Sequence, residues 1–268
     1  MKLNKRIINC FEQKKRAAFV TFITAGDQDY EKSLTLINSL PKAGADIIEL
    51  GMPFTDPIAD GEIIQKSTQR SLKTGQNQKK TLELVKAFRL FNKKTPIILM
   101  GYYNPIYRYG IKKFIKDAKK AQIDGLIIVD LPPEHAQEVS VPAKKQGIDF
   151  INIITPNTNI KRIPFIVKNS SGYIYYISIN GVTGGSVPIF YEVEKAVKLI
   201  RKYTNLPIAV GFGVKNRNSV KKLANISDAV VVGSALLKQI EIHCYDQKTA
   251  ISNVLNLTSR LSRGLVKI

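Results

Sequence analysis

Eight short apolar runs divide the chain: AFVTFIT (18–24), ADIIEL (45–50), PIILMGY (96–102), DGLIIVD (124–130), DFINIIT (149–155), GYIYYIS (172–178), LPIAVGF (206–212) and DAVVVGS (228–234). Runs this short and this apolar read as strands buried on both faces. Between them lie longer segments, such as YEKSLTLINSLPKAG, KKTLELVKAFRLFNKK and NSVKKLANIS, whose apolar residues recur every three or four positions. Each of those reads as a crossover helix, and a strand joined to the next by a helix pairs parallel with it. Eight such units predict an α/β fold, a closed (β/α)8 TIM barrel. An open doubly wound sheet is the competing arrangement, but no GxGxxG turn follows the first strand, which favours closure. Ahead of that strand, Leu3, Ile7, Ile8 and Phe11 recur at helical spacing, so an amphipathic helix is expected against the barrel floor. No repeat, low-complexity tract or linker interrupts residues 1–268, and one domain is expected.

Composition narrows the function classes. At 44% hydrophobic the chain can fill such a core. Its formal net charge of +20 would suit a nucleic-acid or anionic-membrane partner. The lysines, however, are spread over helix-like stretches such as IKKFIKDAKKAQ and VEKAVKLIRKY, without interleaved stacking aromatics. Neither nucleic acid nor membrane is therefore expected as a partner. No apolar run is long enough to span a bilayer, and the start MKLNKRIINCFEQKKRAAFV breaks its apolar residues with charge, unlike a signal peptide. Cys10 and Cys244 lie far apart, and His135 and His243 are the only histidines, so neither a disulfide scaffold nor a metal site is expected. A soluble protein of a reducing compartment follows; the Lys-, Ile- and Asn-rich composition suits a bacterial cytoplasm or a plastid stroma.

The segment ELGMPFTDPIADG (49–61) carries the chemistry. Glu49 ends the second apolar run, at the face where parallel barrels keep their active sites. A carboxylate there is costly unless it is used or paired. Asp60 follows eleven residues later, just before Gly61 and the helical pattern EIIQKSTQRSL, and can fold back over the strand mouth. Two acids facing one cavity can divide proton transfer and charge stabilisation between them. On these residues alone Glu49 could equally be a strand-end ion pair, with Asp56 and Asp60 as turn and cap residues.

This segment resembles the signature of the tryptophan synthase alpha subunit family, an acidic strand end followed by G-x-P-F-[ST]-D-P-x-A-D-G. Thr55, where Ser is common, and Glu62, where Pro is common, depart from it and leave both acids in place. TAGD (24–27), GYYNP (101–105) and VDLPPEH (129–135) match the family in position as well, except that His135 stands where an acid is usual, at a helix start where it affects capping. Asp130, in the last of these, is the remaining polar candidate at the mouth, where a strand-end hydrogen bond that shapes the loop is favoured over a direct catalytic part.

Three glycine-bearing turns follow the last three strands: NGVTGGSVPIF (180–190), GFGVKN (211–216) and VVGSALLK (231–238). Turns like these, with a helix beginning behind Gly233 and Ser234, expose backbone N–H groups to a dianion and suggest a phosphorylated substrate. The resemblance names that substrate as indole-3-glycerol phosphate and implies phosphate binding by Gly184, Gly213, Gly233 and Ser234. It also implies a loop from Ile179 to Tyr191 that closes with Thr183 near Asp60, and pocket positions for Phe22 and Tyr175. Ile179 and Asn180 depart from the family.

The implied reaction is retro-aldol cleavage to indole and glyceraldehyde 3-phosphate, with Glu49 and Asp60 catalytic. Glu49 would need a raised pKa, which its apolar strand supplies. No strand-end lysine suggests a Schiff base. The resemblance further implies an α2β2 tetramer in which a beta subunit receives the indole and holds pyridoxal phosphate, this chain holding no cofactor. Met52, Pro53, Phe54 and Pro57 are expected to form an exposed docking edge. Another phosphate-binding barrel enzyme and a non-catalytic binding subunit are the competing classes.

Overall fold

The chain is described here by a computed structural model covering residues 4–13, 15–178, 188–211 and 213–265. Its strands are β1 (Ala18–Thr24), β2 (Ile47–Gly51), β3 (Ile97–Gly101), β4 (Gly125–Ile128), β5 (Asp149–Phe150), β6 (Ile153–Ile154), β7 (Ile174–Ile177), β8 (Ile208–Gly211) and β9 (Ala229–Val232). All pair in parallel, in the order β5-β4-β3-β2-β1-β9-β8-β7-β6. The two ends of that sheet, β5 and β6, are separated by only Ile151 and Asn152, so the sheet curls round until a single stretch of chain joins both edges. The Ile151 N–H donates to Leu126 of β4 at 2.9 Å, while the next carbonyl, that of Asn152, accepts from Tyr175 of β7 at 3.1 Å.

The run 149–155 was expected as one strand and is instead two short pieces. Barrel strands tilt and stagger, so the lower part of this stave pairs with one neighbour and its upper part with the other. The remaining seven runs form strands within two residues of the expected bounds.

Side chains alternate across each strand, and both faces are apolar because both are covered. Val20, Ile47, Ile98, Ile127, Ile151, Tyr173, Ala209 and Val231 fill the barrel interior. Phe19, Ile23, Leu50, Leu99 and Val230 face outward against the helices. Helices Tyr30–Ser39, Gln78–Phe91 and Arg217–Ala224 occupy the segments whose periodicity predicted them, capped by Asp29, Asn77 and Asn216. On the helix Ile111–Lys120, Phe114, Ile115 and Ala118 are buried while Lys112, Lys113, Lys116, Lys119 and Lys120 face solvent.

The N-terminal helix, Lys5–Glu12, seals the lower end of the barrel. Its buried face is Ile7 and Cys10, which join the interior cluster; Ile8 is half-buried, and Leu3 lies outside the described residues. Arg6 fastens it by donating to Lys93 O, Gln122 Oε1 and Asp124 Oδ1 at 2.7, 2.8 and 2.9 Å. Among the described residues no helix is long and apolar enough to cross a membrane.

Candidate active site

Glu49 sits on the interior face of β2, beside Phe22 of β1 and Ile98 of β3, with no exposed surface. One carboxylate oxygen, Oε1, accepts from the Tyr173 hydroxyl at 2.7 Å, and the other, Oε2, is buried with no hydrogen-bond partner among the described residues. Taking the group out of water disfavours its charge and pushes its pKa up to about 7, partly opposed by the Tyr173 hydrogen bond. Tyr173 and Tyr175, both buried beside that carboxyl, are held well above the ordinary phenol range, first by burial and then by the Glu49 charge. Near neutral pH the carboxyl can therefore carry a proton, and one of its oxygens is left open by the described residues.

Asp60 approaches from above. The chain leaves β2 at Gly51 and returns through turns in which the Ile58 N–H donates to Asp56 O and the Asp60 N–H to Pro57 O, at 2.9 and 3.0 Å. Gln65, on the helix Glu62–Lys73, donates to Asp60 O at 2.8 Å and ties the loop to the helix that follows. The Asp60 side chain lines a cavity at the barrel mouth together with Phe22, Thr24, Gly51, Met100, Tyr102 and Val129. Burial raises its pKa to about 6, and a hydrogen bond from Tyr102 opposes the rise. Gly51 belongs to the same strand face as Glu49 two residues earlier, so the Glu49 carboxyl lies one side-chain layer, roughly 6–7 Å along the strand, from the cavity that Gly51 and Asp60 line. The two acids thus open toward the same end of the barrel.

Phe22 and Tyr175 both point inward at this level, each 7% exposed. Glycine makes room for them. A Cβ at Gly51 would stand 2.8 Å from the Phe22 ring, one at Gly233 3.1 Å from Phe22 Cβ, and one at Gly211 2.8 Å from the Tyr175 hydroxyl. The glycines of these strand ends thus set the width of the pocket as well as the turns above it.

β8 and β9 run in register, Gly211 beside Val231, so the turns that follow them carry Gly213 and Gly233 to the mouth side by side. Gly213 has φ +56°, and a Cβ there would meet none of the described residues within 4 Å, so backbone conformation calls for glycine. Gly233 N-caps the helix Ser234–Ile242 with no side-chain capping bond, and Ser234 is exposed at its first turn. The uncapped N–H groups and the positive end of the helix dipole suit a phosphate. Thr183 and Gly184, with Ile179 and Asn180, lie outside the described residues.

Three polar groups that shape the site escaped the sequence reading. Tyr173 shares a strand face with Tyr175, which the alternation of GYIYYIS could have revealed. Tyr102, beside Asp60, follows β3 inside GYYNP, where nothing in the sequence distinguishes it from Tyr103. Asp27 of TAGD accepts from Ser67 at 2.7 Å and from Arg70 Nε and Nη2 at 2.7 and 2.8 Å, clasping the β1 loop to the helix behind Asp60. Asp130 is exposed and accepts the Tyr103 N–H at 2.7 Å, a loop-shaping contact.

The expected docking edge needs correction. Met52 is 5% exposed and Pro53 is buried, because the chain turns inward directly after β2. Phe54 is half-buried against the Tyr102 ring, with centroids 5.5 Å apart, and the apolar side chain that protrudes is Ile58, 85% exposed. An open groove does run beside the loop, between Phe54, Asp56, Gln78, Asn104 and Arg108. Among the described residues no cluster of three or more His, Cys, Asp or Glu side chains could hold a metal ion.

Residues 8–265 match the family described as tryptophan synthase alpha chain. Among solved structures, the chain is similar to tryptophan synthase subunit alpha of Legionella pneumophila str. Paris, at 35% identity over 97% of this chain and 98% of that one, with a TM-score of 0.89. It is similar to a chain of the tryptophan synthase complex of Pyrococcus furiosus at 35% identity, 92% and 98% coverage and a TM-score of 0.83. A chain of tryptophan synthase from M. tuberculosis matches at 28% identity, 97% and 98% coverage and a TM-score of 0.87.

Proposed function

The chain belongs to the tryptophan synthase alpha chain family, and from that premise we propose that its barrel is a carbon–carbon lyase cleaving indole-3-glycerol phosphate to indole and glyceraldehyde 3-phosphate. It is an enzyme of tryptophan synthesis and works with a beta subunit, which holds the pyridoxal phosphate of the complex. An α2β2 assembly, a barrel domain spanning residues 1–268 and a location in bacterial cytoplasm or plastid stroma complete the proposal.

The observation that carries the lyase reading is the buried Glu49, with one oxygen unpartnered among the described residues and a pKa near 7, one side-chain layer from a cavity that Asp60 lines. An indole ring leaves poorly as a carbanion. Glu49 donates its proton to indole carbon 3, and the positive charge that spreads to the ring nitrogen is met by the Asp60 carboxylate, which accepts the indole N–H. Glu49, now ionised, takes the proton of the adjacent glycerol hydroxyl. That oxygen becomes the aldehyde carbonyl, the carbon–carbon bond breaks, and its electrons restore the neutral indole. Glu49 ends protonated, as it began. Phe22 and Tyr175 flank the ring, while Gly213, Gly233 and Ser234 hold the phosphate; the roles expected of Thr183 and Gly184 fall outside the described residues. The beta subunit docks along the groove beside Phe54 and Asp56, next to Ile58.

Mixing the purified chain with a beta subunit and indole-3-glycerol phosphate tests this. Indole and glyceraldehyde 3-phosphate should appear in equal amounts, and Glu49→Gln should abolish most of the turnover. A wild-type chain that forms no indole would overturn the assignment.

A further inference from the structure

Tyr102 joins the two ends of the loop that carries Asp60. It follows β3 directly and is 4% exposed, so its ring is fixed by the barrel wall rather than by the loop. Its hydroxyl accepts the Ala59 N–H at 3.0 Å and faces the next residue, Asp60, across the cavity both line, so it engages the loop's returning limb. Its ring packs on Phe54, on the outgoing limb. Asp130, exposed beyond the end of β4, receives the N–H of the next residue, Tyr103, and so pins the backbone immediately after Tyr102. A loop of this length, held only by its own turns, would leave the Asp60 carboxylate free to swing, and misplacement by about 1 Å can cost up to ~100-fold in rate.

We propose that Tyr102 is a positioning residue: its hydroxyl holds Ala59 and Asp60 over the cavity while its ring ties them to Phe54, so that whatever presses on Phe54 is transmitted to the acid that meets the substrate ring. The proposal rests on the lyase reading for its effect on rate, but the clamp itself is a property of the loop and can be measured without turnover.

Tyr102→Phe keeps the ring and its Phe54 contact and removes only the hydroxyl. In the complex with a beta subunit, kcat for indole release should fall about tenfold or more with KM changed far less. The charged and titratable groups facing this hydroxyl are Asp60 and Asp130. Losing the hydroxyl withdraws the hydrogen bond that lowers the Asp60 pKa and leaves burial unopposed, so the acid limb of kcat/KM should move to higher pH. If Tyr102 acts through Asp60, then adding Tyr102→Phe to Asp60→Asn should cause little further loss. A uniform fall in rate with an unmoved acid limb, or losses that multiply in the double variant, would overturn the proposal. Amide exchange supplies an arm independent of catalysis: Ala59 N–H should exchange faster in Tyr102→Phe than in the wild type, and equal exchange would refute the clamp. A wild-type chain that releases no indole would instead sink the lyase reading, with the exchange result still deciding the clamp.

Discussion

Glu49 should make the fold less stable as pH rises through neutrality, a cost that Glu49→Gln removes. The carboxyl has an ordinary value of 4.5 and is pushed to about 7 because it is fully buried. An acid whose folded pKa is raised keeps its proton in the folded chain after the unfolded chain has released it. The stability it contributes is therefore fully present below about 4.5 and is lost as pH rises through about 7. At 1.36 kcal/mol per pH unit, that interval corresponds to about 3 kcal/mol. No discount for solvent screening applies, since the group has no exposed surface.

Gln has nearly the same shape and never ionises. Its carbonyl can accept from Tyr173 as Oε1 does, while its NH2 occupies the site of the unpartnered Oε2. Those N–H groups cost about 1–3 kcal/mol if they find no acceptor, a penalty independent of pH. Urea unfolding of wild type and Glu49→Gln, measured from about pH 4 to about pH 9, therefore gives a difference curve whose height depends on the amide and whose rise depends on the carboxyl. The expected rise in favour of Glu49→Gln is about 3 kcal/mol, spread between about 4.5 and about 7 and level above. Asp60 titrates in both proteins and largely cancels. A flat difference would mean that Glu49 is ionised in the fold at neutral pH, and the proton-donor role would fall with it.

Two further outcomes follow from the same charges. Because catalysis needs Asp60 ionised and Glu49 protonated, kcat/KM should be bell-shaped with limbs near about 6 and about 7, and a rate rising monotonically through pH 8 (about one unit above the upper limb) would contradict the assignment of proton donor. At the opposite end of the barrel, Asp124→Asn should cost about 3–5 kcal/mol in urea unfolding while leaving KM unchanged. The reason is that Arg89, 3% exposed and already pulled down to about 10 by burial, would lose its counter-charge, and Ile97 N–H and Arg6 would lose a charged acceptor. A loss below about 1 kcal/mol would show that the pair is dispensable.

The barrel was legible because each strand is covered on both faces, leaving continuous apolar runs that no helix of this spacing imitates. Position along the chain then fixed which end Glu49 and the glycine turns occupy, since every strand enters the barrel from the same side. The split of the fifth stave was not legible, because stagger is a property of the closed ring and leaves no mark on DFINIIT. Nor was the direction of the 52–61 loop. Apolarity marks Met52, Pro53 and Phe54 as adhesive without saying whether they stick to a partner or to their own barrel, and here the barrel takes the first two.

Tyr102 and Tyr173 illustrate the same limit at the scale of single atoms. A carboxylate can be read from sequence as an acid at a strand end, but the proton affinity that decides its chemistry depends on how much water surrounds it and which hydroxyl reaches it. Tyr173 comes to Glu49 from 124 residues away and rests on Phe11 of the floor helix, ring centroids 6.0 Å apart. The barrel floor is thereby linked through Tyr173 to Glu49 in a way that no local motif encodes. The motif specifies which groups can react; the closed packing beneath them sets the pH at which they do.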